Sequence, residues 1–321
     1  MPVRAYDGAV EAVVDALLRS PEPAVRWKVR TRVLDQPADG REILALRQQI
    51  RESPRVRALL AGARGQPSAR VYDKWRGAHW ALAALADLGY PPGDSDLYPL
   101  RDAVQARWLS TRPPLVAGRY RRCGSQQGNA LWYLTVLGLA DEHTGDLAER
   151  LLHWQWPDGG WNCDRRPAAV KSSFFETLLP MRGLAAHADA TGDVAARAGA
   201  YRAAEVFLGR HLLYRAGTAE LIRHEFGLLH YPLYWYYDVL AGLKGMAQLD
   251  LLGDPRCAAA LDLLESLRTA DGWPAHRRYY SASATAGRHQ DHVDWGGAGI
   301  RRANEWVTAD ALAVLHAAGR G

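Results

Sequence analysis

The feature that most constrains this chain is an alternation of two kinds of helical segment. Segments near 75–88, 129–140, 172–186, 231–252 and 305–318 are apolar nearly all round, as in WRGAHWALAALADLG and EWVTADALAVLHAAG. A helix that is apolar on every face has to be buried on every face. Between them, segments near 99–110, 145–156, 194–213 and 255–268 carry Arg, Glu or Asp on one side only, as in PRCAAALDLLESLR. The pattern implies a double ring, with apolar helices as an inner wall and amphipathic ones shielding it from water. Strand signals are nearly absent, so the chain reads as all-α. Trp80, Asn129, Glu176, Asp238 and Asp310 mark the centres of the apolar segments, about 50 to 70 residues apart, as in an irregular repeat of helical hairpins.

The first 70 residues differ. In SPEPAVRWKVRTRVLDQP, Pro stands just inside a helix start, with Ala24, Val25, Val29 and Val33 on one side, as in a HEAT-type helix. Residues 40–62 read as a second Arg/Leu helix. Residues 1–70 hold 13 basic and 8 acidic residues, and the remaining 251 are balanced at 27 and 27, so the whole net charge of +5 lies in the first part. We therefore expect a helical extension, 1–70, charged on its outer face and packed against a ring formed by 71–321. A basic stripe is the usual footprint of a nucleic-acid groove, and its absence over most of the chain excludes that partner.

Three cysteines without CxxC spacing argue against a disulfide framework and a zinc knuckle. Asp7, Glu11 and Asp15 fall where the apolar stretch of a signal peptide would be, so a cytoplasmic location is expected. The longest apolar runs, 129–140 and 226–237, are too short and polar for a transmembrane segment, although peripheral contact with a membrane stays compatible with them. Twelve Trp and 14 Tyr stand against 4 Phe, which points to an aromatic-rich interior or cavity.

The most specific local pattern is LHWQWPDGGWNCD, in which Gln155, Gly159 and Trp161 are spaced as in a QW motif. TADGWPAH, with Asp271, Gly272 and Trp273, is a weaker copy. Glycines there allow a tight turn between helices, and the Gln amide can cap a helix end, so the motif speaks for architecture and not for chemistry. On these motifs and on the helix alternation, residues 70–321 resemble the squalene-cyclase and prenyltransferase superfamily. That resemblance implies an α/α toroid, a barrel of about six helical hairpins around a cavity. It leaves activity open among class II terpene cyclases, zinc-dependent prenyltransferase subunits and non-catalytic relatives.

The chemistry-bearing motifs of that superfamily are missing. Where class II cyclases carry an acidic DxDD, this chain has Asn304 to Ala309 without Asp, and its one D-x-D, Asp94-Ser95-Asp96, sits where a helix cap is expected. The positions matching the prenyltransferase zinc ligands fall within 168–173 and near Trp235, and offer no Asp, Cys or His. Cys163-Asp164 lies close upstream as a displaced substitute. No metal or other cofactor is expected.

Polar residues on the apolar segments are the remaining candidates, because a buried carboxylate or imidazole is costly unless paired or used. Glu176 is a general-acid candidate if its pKa is raised, or a salt-bridge partner of Lys171 or Arg182. Asp238 is the second acid, ending the run HYPLYWYYD, whose Tyr231, Tyr234 and Trp235 share one helical face beside His230. His79, four residues after Trp75, pairs with Asp73 or with a ligand, and Asp310 is a pocket-floor group or binds a neighbouring helix. Trp75, Trp132, Phe175, Tyr231, Tyr234, Trp235 and Trp306 are the expected pocket lining. His289, Asp291, His292 and Asp294 form a ligand-rich loop that is either a metal site or, with Gly296, Gly297 and Gly299, a lid. Three readings follow. The leading one is metal-independent, acid-initiated cyclisation or isomerisation of an isoprenoid or similar hydrophobic small molecule in an aromatic cavity. The others are a non-catalytic binding module for a lipid or protein, and a metal enzyme using the 289–294 loop.

Overall fold

The computed structural model describes residues 8–65, 70–280 and 293–320. Among these, regular structure is almost wholly helical, apart from a two-stranded ladder of Leu115–Val116 and Arg119–Tyr120. Six helices form the inner wall: α2 (Pro23–Arg32), α5 (Ala78–Leu88), α7 (Gly124–Val136), α9 (Phe174–Thr191), α11 (Val239–Gln248) and α13 (Glu305–Ala317). They touch in that cyclic order, and α13 returns to α2. Against them pack α1 (Gly8–Leu18), α4 (Pro54–Arg64), α6 (Tyr98–Leu109), α8 (Glu142–Trp154), α10 (Val194–Leu208) and α12 (Ala258–Ser266), while α3 (Arg41–Arg51) bridges α2 and α4.

The boundary expected at residue 70 is therefore not a packing boundary. The N-terminal segment supplies α2, which fills the gap between α5 and α13, and the stretch 40–62 is two helices split where Ser53 caps α4 ahead of Pro54. Charge fixes this closure. Lys28 of α2, completely buried, places Nζ 2.6 Å from Asp87 Oδ2 on α5 and 2.9 Å from Asp310 Oδ1 on α13. Lys244 of α11 completes the square, 3.2 Å from Asp87 Oδ1 and 2.5 Å from Asp310 Oδ2. So the +5 of the first 70 residues is not confined to an outer face, since one of its charges sits at the centre of the ring.

Local sequence explains the closest helix pair. A Cβ on Gly128 of α7 would fall 2.2 Å from Pro180 N, and one on Gly183 of α9 would fall 2.3 Å from Gly128 O. Glycine at both positions lets α7 and α9 approach backbone to backbone, and Pro180 in mid-helix, lacking an N–H, fits the face that meets Gly128.

Both QW-like turns make the same bonds. Trp161 Nε1 donates to Leu151 O at 3.0 Å and Trp273 Nε1 to Leu264 O at 2.7 Å, each tying the turn to the preceding outer helix. The Trp161 amide donates to Thr177 Oγ1 and the Trp273 amide to Thr308 Oγ1, with both threonines at the fourth position of the following inner helix. The carbonyls of the same tryptophans accept from Ser173 N and Asn304 N, the N-caps of α9 and α13. Gln155, at the end of α8, donates to Gly159 O and Gly199 O and accepts from Arg202, so the one full motif also pins α10. Gly159 has φ +95°, and a Cβ there would meet Arg202 O at 2.1 Å.

Asp310→Asn is expected to cost about 3–5 kcal/mol in urea unfolding, because it leaves two buried ammonium groups short of a carboxylate. Arg166→Ala, which breaks the exposed pair with Asp164, is expected to cost less than about 1 kcal/mol. Equal costs for the two would contradict a closure held by charge.

Candidate functional site

Two members of the buried square of charge, Lys244 and Asp310, reach the floor of an open funnel of about 600 Å³ at the C-terminal ends of the inner helices. Its upper wall is mostly small and apolar, from Val136 on α7, Ala186 on α9, Ala247 on α11 and Ala313 and Val314 on α13, with Thr135, Gln248 and Asp189, the last paired to Arg197, as its polar members. Its floor is Lys244, Asp310, Arg32, Trp132 and Arg182. Burial pushes the Asp310 carboxyl up, but Lys244 and Lys28 outweigh that and hold it below the usual carboxylate range. Burial likewise raises Asp87, and Lys244, Lys28 and Arg32 bring it well below. Burial lowers Lys244 despite both carboxylates. Asp310 is thus at the pocket floor and bound to neighbouring helices at once, and as a low-pKa anion it has no proton to donate at neutral pH.

Arg182 is the group the charge square leaves over. Its guanidinium lies 4.3 Å from the Trp132 ring, and its Nε donates to Gln248 Oε1 at 3.3 Å. Among the described residues its two Nη atoms have no hydrogen-bond partner. Burial pushes it down to about 10, so it stays charged at neutral pH. Lys28, Lys244, Arg32 and Arg182 set four positive charges against the two carboxylates Asp87 and Asp310, so the floor has a cationic surplus.

Behind Trp132 and Arg182 lies the cavity expected to be aromatic and open. It is lined by Trp132, Tyr231, Tyr234, Trp295 and Asn129 among others, but measures about 30 Å³, the room of about one water. The rings that were to line it pack on one another. Trp75 stacks on Tyr234 with centroids 4.7 Å apart, Tyr231 stacks on Trp306 at 5.3 Å, and Trp295 meets Trp306 edge-on. Trp75 and Trp306 are each 1% exposed.

The stretch 231–237 is not helical, which corrects the expected common face of Tyr231, Tyr234 and Trp235. Pro232 disfavours helix at Tyr231, and the Asp238 side chain caps α11 by accepting from Ala241 N at 2.7 Å, so the helix starts only at Val239. Tyr231 instead turns inward, donating to Asp87 Oδ2 at 2.7 Å under Lys28. Asp238 also accepts from His230 N, and its Oδ2 lies 2.7 Å from His230 Nδ1, outside hydrogen-bond angles. Both side chains are buried away from either cavity. Trp75 precedes α5, and His79 pairs not with Asp73 but with Tyr133 OH at 3.1 Å and Trp108 Nε1 at 3.3 Å. These residues are interior packing and capping groups.

The opposite mouth, at the N-terminal ends of the inner helices, holds Glu176, Phe175 and Trp235. Glu176 meets neither Lys171 nor Arg182. Its Oε2 accepts from Ser125 N at 3.2 Å and Ser125 Oγ at 2.8 Å, and Cys163 Sγ lies 3.7 Å from Oε1. Burial raises its pKa, and the donors of Ser125 and the thiols oppose that without cancelling it. Phe175 packs against Phe226 and Trp235, and Lys74 Nζ sits 4.6 Å from the Trp235 ring. His289, Asp291 and His292 lie outside the described residues. Asp294 is exposed, its carboxylate accepting from Gly296 N and its carbonyl from Arg55. Asp94 caps the turn into α6 by accepting from Asp96 N.

No family model matches the chain, and no curated protein matches it. A crystal structure described as that of a protein from Actinoplanes is similar to it, with a TM-score of 0.45 and 18% identity, covering 97% of this chain and 98% of that one. No helix among the described residues is long and apolar enough to cross a membrane.

Burial lowers His79 to about 3 from an ordinary value of 6.5. The unfolded chain then binds the proton more tightly, so this contribution to stability is full above about pH 6.5 and is lost as pH falls toward 3. Melting temperatures between pH 7 and 4.5 are expected to fall less steeply in His79→Gln than in the wild type. Parallel slopes would show that the imidazole is not held neutral.

Proposed function

We propose that the funnel binds a small molecule with an apolar body and an anionic head, the class that includes isoprenoid diphosphates and long-chain carboxylates. The observation that carries this reading is Arg182, a charged guanidinium on the floor, stacked on Trp132, with both Nη atoms free to donate. A planar fork of donors suits a carboxylate or phosphate bidentately. The alanine and valine wall above it offers an acyl or prenyl chain a dry surface, and about 600 Å³ is within the range of small-molecule sites. The resemblance to isoprenoid-handling toroids, and the cyclic contact order of the six inner helices, agree with such a ligand. This reading needs no chemistry, and so favours the binding-module alternative at this end of the ring.

A second reading, acid-initiated turnover of an isoprenoid, is favoured by Glu176, whose raised pKa suits a proton donor. The reaction would then run at the N-terminal mouth beside Phe175 and Trp235, not in the aromatic centre.

Geranylgeranyl diphosphate and palmitate serve as probes of the funnel. Arg182→Ala is expected to weaken binding of whichever is bound by about tenfold or more, the worth of a charge-assisted hydrogen-bond pair. Phe175→Ala, at the other mouth, is expected to leave it unchanged. Absence of binding by either probe, or affinity unaltered by Arg182→Ala, would overturn the proposal.

A further inference from the structure

We propose that Cys123, Cys163 and Glu176 bind a thiophilic divalent cation of the zinc class. The three come from separate elements that meet at the N-terminal mouth. Cys123 is the residue before α7, Cys163 follows the Gln155–Trp161 turn, and Glu176 lies in the first turn of α9. One ligand atom from each lies within 4.8 Å of the others. A tetrahedral zinc ion, with bonds of about 2.3 Å to sulfur and about 2.0 Å to oxygen, spaces its ligands roughly 3.5–3.8 Å apart. Cys163 Sγ and Glu176 Oε1 already stand at 3.7 Å, so small side-chain movements suffice.

The surroundings match what such an ion requires. Ser125 holds Glu176 Oε2 through two hydrogen bonds, which orients the carboxylate and leaves Oε1 for the ion. Outer hydrogen bonds of this kind fix metal ligands in place. Glu176 is buried, while both cysteines are half-buried, so a fourth position can take water or a ligand atom from solvent. Three groups that each become negative on losing a proton are packed together. A divalent cation turns that repulsion into attraction. Tyr72, Lys74 and Arg122 also face the cluster.

Binding balances as follows: the ion gains two thiolates and one carboxylate, and the two thiol protons leave to solvent, with the carboxyl proton where Glu176 carries it. The bound group then has one net negative charge, beside Lys74 and Arg122. None of the three ligands falls at 168–173 or Trp235, the positions that resemblance would assign to zinc. Along α9 the site lies roughly 9 Å from Arg182 on the funnel floor and roughly 15–20 Å from Ala186 and Asp189 on its wall, and it shares no residue with the funnel, so it stands apart from the amphiphile reading. It excludes the acid role of Glu176, since a metal-bound carboxylate carries no proton.

The test uses the full chain, stripped with a chelator, fully reduced and titrated anaerobically with Co²⁺. One Co²⁺ per chain is expected, with a near-ultraviolet thiolate charge-transfer band and the visible bands of a four-coordinate site, both removed by equimolar Zn²⁺. Cys123→Ser, Cys163→Ser and Glu176→Gln are expected to weaken binding by about tenfold or more, and Cys257→Ser to leave it unchanged. Should a cysteine variant fail to fold, alkylation of the wild type decides, with Zn²⁺ protecting Cys123 and Cys163. Absence of the charge-transfer band, a band that survives loss of Cys123 or Cys163, or equal alkylation of both cysteines with and without Zn²⁺ would overturn the proposal.

Discussion

Two lysines and two aspartates alternate at the centre of the ring, and the arrangement of the inner helices depends on them. Each group comes from a different helix, α2, α5, α11 or α13, so the square can form only when all four helices stand in one register. Moving four charges out of water is costly, and here each charge is offset by two neighbours of opposite sign. Removing any one strands the others. Apolar packing alone would tolerate a helix sliding by part of a turn, whereas the square does not.

The same helices give the molecule two unlike mouths. The C-terminal ends open on a cationic floor with an apolar wall, and the N-terminal ends carry sulfur, a carboxylate and exposed edges of aromatic rings. The aromatic residues between them are structural. They fill the middle of the ring by stacking, and Trp132 alone of the expected pocket residues reaches the open funnel, while Tyr231 serves to seat Asp87.

The all-α class was legible because helices apolar on every face allow few arrangements, and because the QW spacing encodes a turn with a fixed bonding pattern. That Trp161 and Trp273 bond in parallel shows how much even the degraded copy retains. The site was far less legible. Tyr231, Tyr234 and Trp235 have helical spacing, but Pro232 and the capping carboxylate of Asp238 override it. The absence of CxxC ruled out a knuckle within one loop, yet Cys123, Cys163 and Glu176 meet across gaps of 40 and 13 residues, which spacing cannot reveal. The charges of the square were equally dispersed, and Lys28 stands in a segment whose net charge was expected on an outer face. One signal was available: the chain has only four lysines among its 40 basic residues, and one of them, Lys244, interrupts an apolar run.

That scarcity has a physical sense. A compact ammonium can sit between two carboxylates in a confined space, where a planar guanidinium would be too broad. Of the four primary side-chain amines, Lys171 is exposed, Lys74 is half-buried and Lys244 reaches the funnel floor, while Lys28 alone is sealed within the ring. Acylation at Lys28 therefore has to wait until α2 parts from α13, and its rate becomes a clock for local opening of the ring. Lys171 supplies the reference rate of an unhindered amine on the same molecule.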